Sequence, residues 1–330
     1  MIDLVFPDEF KDRVATINDQ LMASFEVMDN ENLRAAMAHY PSAGGKRLRP
    51  LLATMVCEAF GGKPEMAVPF GVALEMVHNF TLVHDDVMDE DDTRRGLKTV
   101  HCEYDLPMAI LAGDAMFARA FEIVLESSLP DASVGRWVEI LARSVRLLAD
   151  GQQMDLDFED RAVVSPGEYL EMVERKTAVL YSAAAQGGAI AGDASEPAQK
   201  ALFEYGRLIG LGFQIWDDVL DLRSDQETFG KPVLNDIRNG KKTLIVVHAL
   251  DIMKAAQRDE LMSVLGKKDA TDAELTLARD ILEDVGSIDY ASRVASEFIA
   301  KAKDELKVVK SDTHRAVLAE FADYMLSRKS

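Results

Sequence analysis

Two aspartate clusters of the same form, Asp-Asp-x-x-Asp, are the parts of this sequence whose spacing suits chemistry. They lie at residues 85–89 and 217–221, each shortly after an apolar run that contains an aromatic side chain. On a helix, residues four apart share a face, so the outer aspartates of each cluster point the same way, and their like charges repel unless a cation lies between them. A single cluster is usually a solvated helix face. Its repetition predicts one divalent-metal site shared by two helices.

The cations of this acidic chain indicate what the metal would bind. They group at residues 46–49, at 94–95 and at 231–242. Arginine binds phosphate through paired hydrogen bonds and lysine binds it as a point charge, although surface charge or helix capping would explain any single group. Mg²⁺ prefers carboxylate and phosphate oxygens, and no His or Cys stands in register for Zn²⁺. The combination predicts several Mg²⁺ ions, for which Mn²⁺ can substitute, bound together with a diphosphate.

The elements that must position these groups are helices. Strand signals are nearly absent, and no linker divides the chain, so we expect an all-α protein with a single domain over residues 1–330. We expect residues 93–96 to form a loop, and residues 223–242 to form a long loop that either closes over the diphosphate or is an ordinary surface loop. Helices are predicted at 9–39 (one or two helices, with Pro41 as the break after them), 51–60, 69–89, 107–129, 134–158, 165–189, 196–221 and from 271 onwards.

Composition excludes several classes of protein. The 330 residues are 48% hydrophobic, enough for a sizeable core, and carry a net charge of −20. Such a charge disfavours nucleic acid or anionic lipid as the main partner. The two cysteines, Cys57 and Cys102, do not suggest a disulfide framework. We expect neither a signal peptide nor an integral membrane segment, and therefore a cytoplasmic protein.

The motifs in which these residues occur resemble those of the trans-polyprenyl diphosphate synthase (polyprenyl synthetase) family, and within it the archaeal-type geranylgeranyl diphosphate synthases. The resemblance implies an isoprenoid-synthase-type helical bundle with a central substrate cavity, and a homodimer. The motifs are Gly44-Gly45-Lys46-Arg47-Leu48-Arg49-Pro50, the segment from His84 to Gly96, Ala112-Gly113-Asp114, Lys176-Thr177, the segment from Gly212 to Asp218, and Gly240-Lys241-Lys242-Thr243.

The resemblance also implies a reaction and a role for each residue. Isopentenyl diphosphate is joined to an allylic diphosphate (dimethylallyl, geranyl or farnesyl) whose C–O bond ionises while metal and cations stabilise the leaving diphosphate. No residue is an obvious base for the final proton. The implied metal ligands are Asp85, Asp89, Asp217 and Asp221, supported by Asp86 and Asp218. Isopentenyl diphosphate would be bound by Lys46, Arg49, His78 and Arg95, and the allylic diphosphate by Arg94, Lys176, Lys231 and Lys241. Thr177 and Gln214 would place oxygens beside the allylic cation.

Product length is expected to depend on the residues just before the first cluster. Thr81 lies one helical turn before Asp85 on the same face, and Phe80 is its bulky neighbour. An aromatic residue followed by a non-aromatic one resembles the family's geranylgeranyl diphosphate synthases. We therefore expect geranylgeranyl diphosphate as the main product, with farnesyl or mixed farnesyl/geranylgeranyl synthesis as the alternative. A terpene cyclase and a non-catalytic subunit of a heteromeric synthase remain as less favoured interpretations.

Overall fold

The structure is a computed structural model that describes residues 8–94, 96–159, 161–223 and 234–327. Within these ranges the chain is almost entirely helical, which confirms the all-α prediction. The strands described there are β1 (Thr93–Arg94) and β2 (Leu97–Lys98), which pair antiparallel with Thr93 opposite Lys98. The first two residues of the expected loop at 93–96 therefore form a short strand. The chain divides into two compact units that interleave along the sequence.

The first unit comprises Met1–Val145, Leu180–Phe203 and Val308–Leu318. Its central helix is the apolar α4 (Val68–Met88), which is buried from Phe70 to Val77 and packs along α3 (Leu48–Ala59) and α6 (Leu106–Leu125). A Cβ atom on Gly71 would lie 2.8 Å from the Cα atom of Pro50, so glycine allows α3 and α4 to approach closely. The helices that lie mainly in this unit are α1 (Asp8–Ala23), α2 (Glu31–Ser42), α3 (Leu48–Ala59), a 3₁₀ turn (Pro64–Ala67), α4 (Val68–Met88), α5 (Val100–Glu103), α6 (Leu106–Leu125) and α9 (Val179–Ala191).

The second unit comprises Arg146–Val179, Glu204–Lys307 and Ala319–Ser330. Its core contains apolar side chains of several helices, among them Tyr169, Ile215 and Ile245. The remaining elements of the chain are α7 (Asp131–Glu159), α8 (Pro166–Val173), a π-helical turn (Glu174–Ala178), α10 (Glu196–Arg223), α11 (Asn235–Arg238), α12 (Leu244–Ile252), α13 (Ala255–Met262), α14 (Asp272–Asp284), α15 (Ser287–Glu305), a 3₁₀ turn (Leu306–Val308) and α16 (Asp312–Ser327).

Helix boundaries agree with the sequence where capping residues mark them. Both expected capping boxes form, at Ser165 with Glu168 and at Thr271 with Glu274. Pro41 does not end its helix but lies inside the last turn of α2. The predicted 223–242 loop contains the helical turn α11, and its residues 224–233 lie outside the described part of the chain.

Among the described residues, one helical stretch has the length and composition of a membrane span. Residues Pro64–Met88 have a mean hydropathy of 1.4 over the most apolar window, and 72% of that window is buried inside the protein. Such burial is typical of a core helix.

Candidate active site

The first aspartate cluster lies at the C-terminal end of α4. Asp85 and Asp89 are half-buried, and Asp89 caps the helix by donating its backbone N–H to the Asp85 carbonyl at 2.7 Å. Asp86, between them, is fully buried. The outer carboxylates therefore share an accessible face, as the spacing predicts, whereas the middle one points into the protein.

The buried Asp86 carboxylate joins three elements of the first unit. Arg94 in β1 donates to its Oδ1 atom from Nε at 2.6 Å and Nη2 at 2.5 Å. The Tyr40 hydroxyl of α2 donates to Oδ2 and accepts the backbone N–H of Val100 at 3.3 Å. Burial lowers the pKa of Arg94, but the hydrogen bonds and charge of Asp86 outweigh it and leave that pKa above its ordinary value. Burial and Asp86 also raise the pKa of Tyr40. Both groups thus keep their protons.

The glycine-rich turn before α3 presents its cations in different directions. Gly44 has a φ of 92°, and Arg47 has a φ of 49°, which is the left-handed region. Lys46 is exposed, and the half-buried Arg49 guanidinium lies 4.6 Å from the centre of the Tyr181 ring. Arg47 is buried, with 4% of its surface exposed. The sequence grouped these three cations, but the structure separates Arg47 from the other two.

Upstream of the first cluster, α4 carries the remaining residues predicted for this unit. His78 is half-buried, and its carbonyl accepts the Thr81 hydroxyl at 2.8 Å. Thr81 is buried, and the half-buried Phe80 ring meets the Phe117 ring of α6 edge-on at 5.7 Å. A Cβ atom on Gly113, in the same helix as Phe117, would fall 2.1 Å from the His84 ring. Aromatic packing thus fixes α4 against α6 beside the aspartates.

The second aspartate cluster, near the end of α10, repeats the pattern of the first. Asp217 and Asp221 are half-buried and Asp218 is buried. The Tyr169 hydroxyl donates to Asp218 Oδ2 at 2.5 Å, and Gln214 Nε2 donates to Oδ1 at 3.0 Å. Burial and the neighbouring carboxylates raise the pKa of Asp218 to about 7, against the lowering effect of these two hydrogen bonds. Burial and the carboxylates of Asp221 and Asp218 also raise the pKa of Asp236 in α11 well above its usual value.

Beside this cluster, the second unit contains a cavity of about 150 Å³. A π-helical turn, a rare conformation that is frequent at functional sites, brings Lys176 and Thr177 to its wall. The Thr177 hydroxyl donates to Gln214 Oε1 at 3.0 Å. The two side chains predicted to place oxygens beside the allylic cation therefore contact each other. The cavity is lined by Asp155, Tyr169, Met172, Val173, Lys176, Thr177, Gln214, Asp218, Asp236, Lys241, Lys242 and Thr243.

Two lysines at this cavity share one carboxylate. Lys176 Nζ lies 2.6 Å and Lys241 Nζ lies 3.2 Å from Asp155 Oδ2. Burial raises the pKa of Asp155, but the two ammonium groups outweigh it, so that pKa is lower than usual and the carboxylate is ionised. Lys242 is buried, with its Nζ atom 3.3 Å from the Gly240 carbonyl. Lys241 is therefore the more accessible of the adjacent pair.

The donor set fits a hard divalent cation bound together with an anionic ligand. Among the described residues, no three carboxylate, imidazole or thiol groups form a ready-made metal cage. Mg²⁺ commonly takes only one or two protein carboxylates and completes its shell with water and phosphate oxygens. Each cluster offers two half-buried carboxylates. In the second cluster, the charges of Asp217 and Asp221 add to the larger effect of burial in raising the pKa of Asp218. Two predicted residues, Arg95 and Lys231, lie outside the described part of the chain.

Comparison with known proteins identifies the family. A sequence model described as polyprenyl synthetase matches residues 30–282. The chain belongs to the polyprenyl synthetase family. It is a prenyltransferase, and divalent metal ions are generally used in this family.

Relatives of this polyprenyl synthetase extend the similarity over the whole chain. It is 41% identical over 329 residues to a geranylgeranyl diphosphate synthase of Methanosarcina mazei, covering 100% of both chains. It is 37% identical to a geranylfarnesyl diphosphate synthase of Natronomonas pharaonis, covering 96% of each.

Solved structures agree with this similarity. A geranylgeranyl pyrophosphate synthetase from Pyrococcus horikoshii superposes with a TM-score of 0.92 at 40% identity, over 97% of this chain and 98% of the other. A polyprenyl synthase from Caulobacter crescentus, complexed with calcium and isoprenyl diphosphate, gives a TM-score of 0.88 at 32% identity, over 97% and 96%.

Several residues that contact or lie beside the two aspartate clusters of this polyprenyl synthetase were not predicted from the sequence. Asp155 lies in residues 151–157 of α7, which are unusually polar for a helix rich in Leu and Val. That polarity was the available signal for Asp155. Tyr40, Tyr169 and Asp236 gave none, because their partners in the site are distant along the chain.

Proposed function

We propose that this polyprenyl synthetase is a short-chain trans-prenyltransferase that condenses isopentenyl diphosphate with allylic diphosphates and makes mainly geranylgeranyl diphosphate. The observation that carries the proposal is that both aspartate clusters are complete and have the same arrangement, with accessible outer carboxylates and a buried, hydrogen-bonded middle one. A terpene cyclase would lack the second aspartate-rich motif, and a non-catalytic subunit would lack aspartates from one cluster. The whole chain is proposed to act as one polyprenyl synthetase domain.

In the proposed mechanism, Asp85 and Asp89 in the first unit and Asp217 and Asp221 in the second would hold Mg²⁺, which would supply positive charge to stabilise the leaving diphosphate. Asp86 and Asp218 support these ligands by fixing the helix ends to neighbouring elements.

The cationic side chains bind and orient the two substrates. Lys176 and Lys241 exchange Asp155 for oxygens of the allylic diphosphate, assisted by Arg94 and Lys231. Lys46, Arg49, His78 and Arg95 bind isopentenyl diphosphate, which aligns its double bond with the allylic carbon and makes the bond-forming step effectively intramolecular.

The wall of the cavity stabilises the charge that develops on carbon. Thr177 Oγ1 and Gln214 Oε1 are oxygens with partial negative charge, already oriented by their mutual hydrogen bond and by Asp218. Such preorganised dipoles stabilise a cation without having to reorient during the reaction. The last proton is proposed to leave with the departing diphosphate.

Geranylgeranyl diphosphate is proposed as the main product because Thr81 leaves space one turn before the cluster while Phe80 supplies bulk. Farnesyl diphosphate, or a mixture, is the alternative. Incubation of the purified chain with isopentenyl diphosphate, Mg²⁺ and each allylic primer, followed by mass analysis of the products, distinguishes these cases. No diphosphate release from any primer would favour the subunit interpretation, and a cyclic hydrocarbon would favour the cyclase.

The metal assignment has its own test. Asp85→Ala and Asp217→Ala are each expected to lower turnover by orders of magnitude, because loss of a metal ligand removes several kcal/mol of transition-state stabilisation. Asp280→Ala, which removes an exposed aspartate of α14, is the matched control and should leave turnover unchanged. Near-normal turnover of either variant at saturating Mg²⁺ would contradict the assignment.

We also propose a homodimer that acts in the cytoplasm. Helix α6 exposes several large apolar side chains, more than an isolated soluble helix face needs. Burial of that face against a second copy would remove it from water. An active monomer in sedimentation at micromolar concentration would exclude the dimer. The exposed apolar residues of α6 are Leu106, Ile110, Leu111, Phe117 and Leu125.

A further inference from the structure

We propose that Arg47 and Glu75 form a buried strut that positions the turn carrying Lys46 and Arg49, so that Arg47 is a positioning residue and not a ligand of the diphosphate. The inference rests on the proposed function, in which that turn binds isopentenyl diphosphate. It assigns a role to the one cation of the turn for which the resemblance gave none.

Every nitrogen of the Arg47 guanidinium donates to a different element of the first unit. Nη1 donates to Glu75 Oε1 of α4 at 2.8 Å, and Nε donates to Asn18 Oδ1 of α1 at 2.7 Å. Nη2 donates to the carbonyl of Pro41 in α2 at 2.7 Å. Arg47 and Glu75 are each 4% exposed. A ligand arriving from solvent would have to displace these partners to reach Arg47.

The backbone of the turn needs such an anchor. Arg47 adopts a φ of 49°, which is unfavourable for a residue with a Cβ atom and persists where the surroundings enforce it. The unusual backbone turns Arg47 inwards while Lys46 before it stays exposed. Two residues later, Arg49 is held over the Tyr181 ring. The side-chain bonds of Arg47 therefore determine where both neighbouring cations lie.

The strut also places the turn relative to α4. His78 is one of the predicted isopentenyl diphosphate ligands. Because Glu75 lies three residues before it on α4, the two side chains lie on nearly the same face of that helix. Asp85 is ten residues further along the helix, or about 15 Å at the rise of an α-helix. Loss of the strut should therefore affect the isopentenyl diphosphate ligands much more than the metal ligands.

A buried ion pair can be removed without unfolding the protein if both partners are replaced. Removal of one partner leaves an unpaired buried charge, whereas apolar replacement of both is often neutral or stabilising. The other acceptors tolerate the change, since the Pro41 carbonyl also accepts the Gly44 N–H at 3.1 Å and Asn18 is half-exposed. The double variant Arg47→Met/Glu75→Leu is thus expected to fold.

The matched control is a second ion pair in the same unit. Arg13 Nη2 lies 2.7 Å from Glu58 Oε2 and joins α1 to the far end of α3. In Arg47→Met/Glu75→Leu, KM for isopentenyl diphosphate should rise about tenfold, as expected when a well-placed charged hydrogen bond is lost. In the same variant, KM for farnesyl diphosphate should stay within about twofold of the parent value, a change much smaller than the rise in KM for isopentenyl diphosphate. Arg13→Met/Glu58→Leu should change neither constant.

The variant Glu75→Gln distinguishes a positioning role of Arg47 from direct binding of the diphosphate by Arg47. If Arg47 bound the diphosphate directly, weakening its partner would release it and lower KM for isopentenyl diphosphate, whereas a strut predicts an unchanged or higher KM. A lower KM overturns the proposal. So does an unchanged KM in the folded double variant, or an equal rise in KM for both substrates.

Limited proteolysis tests the strut independently of the reaction. Without substrate, trypsin should cleave after Lys46 faster in the Arg47→Met/Glu75→Leu variant than in the parent and in the control pair. If the parent did not consume isopentenyl diphosphate, the proposed function would be wrong, but the cleavage rates would still test whether the ion pair holds the turn in place. Equal cleavage rates in all three proteins would overturn the strut.

Discussion

Replacement of Gly151 by alanine tests whether the reaction depends on the position of the π-helical turn that carries Lys176 and Thr177. Gly151 is in α7, and a Cβ atom there would lie 2.5 Å from the backbone nitrogen of Lys176 and 2.9 Å from the carbonyl carbon of Arg175. Both are backbone atoms and cannot rotate away. The turn would have to move, and Lys176 and Thr177 would move with it.

The size of the effect follows from that distance. Ordinary van der Waals contact begins at 3.4 Å, so the backbone must retreat by 3.4 − 2.5 = 0.9 Å. Overpacking of this kind costs about 1–3 kcal/mol, and alanine returns about 1 kcal/mol through helix propensity. Stability should therefore fall by about 0–2 kcal/mol, the difference of these values. Misplacement of a positioning group by about 1 Å can cost about a hundredfold in rate.

The assay compares Gly151→Ala with Gly135→Ala in the same helix. A Cβ atom on Gly135 meets nothing within 4 Å, so that variant should gain up to about 1 kcal/mol and keep its kcat. Thermal unfolding followed by circular dichroism gives the stability, and release of inorganic diphosphate gives kcat. If Gly151→Ala behaved like Gly135→Ala in both measurements, close packing against the π-helical turn would not matter to the reaction.

Three further predictions concern the rest of the chain. Phe80→Ala should lengthen the product and Thr81→Phe should shorten it towards farnesyl diphosphate by mass analysis; identical product distributions would place the channel floor elsewhere. Burial raises the pKa of the Cys57 thiol to about 12, so Ellman's reagent should titrate one thiol, the exposed Cys102, in the folded protein and two after unfolding. Tyr169→Phe leaves an oxygen of the buried Asp218 carboxylate without its donor, and thermal unfolding should show a loss of about 1–3 kcal/mol of stability; unchanged stability would contradict the importance of this hydrogen bond.

The aspartate clusters show what periodicity can and cannot predict. A spacing of four predicts that the outer residues share a face, and both are half-buried on α4 and on α10. The same periodicity places the middle residue on another face but says nothing about what covers it. Tyr40 lies 46 residues before Asp86, and Tyr169 lies 49 residues before Asp218. Such pairings depend on tertiary packing and leave no local pattern.

Two other positions illustrate the same limit. Arg47 was grouped with its cationic neighbours because a sequence shows charge but not direction, and the left-handed backbone turns it inwards. Pro41 suggested the end of a helix because proline has no backbone N–H to donate to an earlier carbonyl. In the structure α2 continues through it to Ser42. Capping boxes, by contrast, are local, and both expected ones were confirmed.

The carboxylate of Asp155 is a shared anionic partner for Lys176 and Lys241 at the cavity of the second unit. If these lysines bind the allylic diphosphate as proposed, an incoming diphosphate replaces one anion by another. The same carboxylate would then pair with the lysines again when the diphosphate departs, which would lower the cost of releasing a highly charged product. A protein of net charge −20 repels an anionic substrate at long range, and added salt screens this repulsion. Moderate ionic strength should therefore speed substrate association, opposite to the behaviour of an enzyme with a positively charged surface.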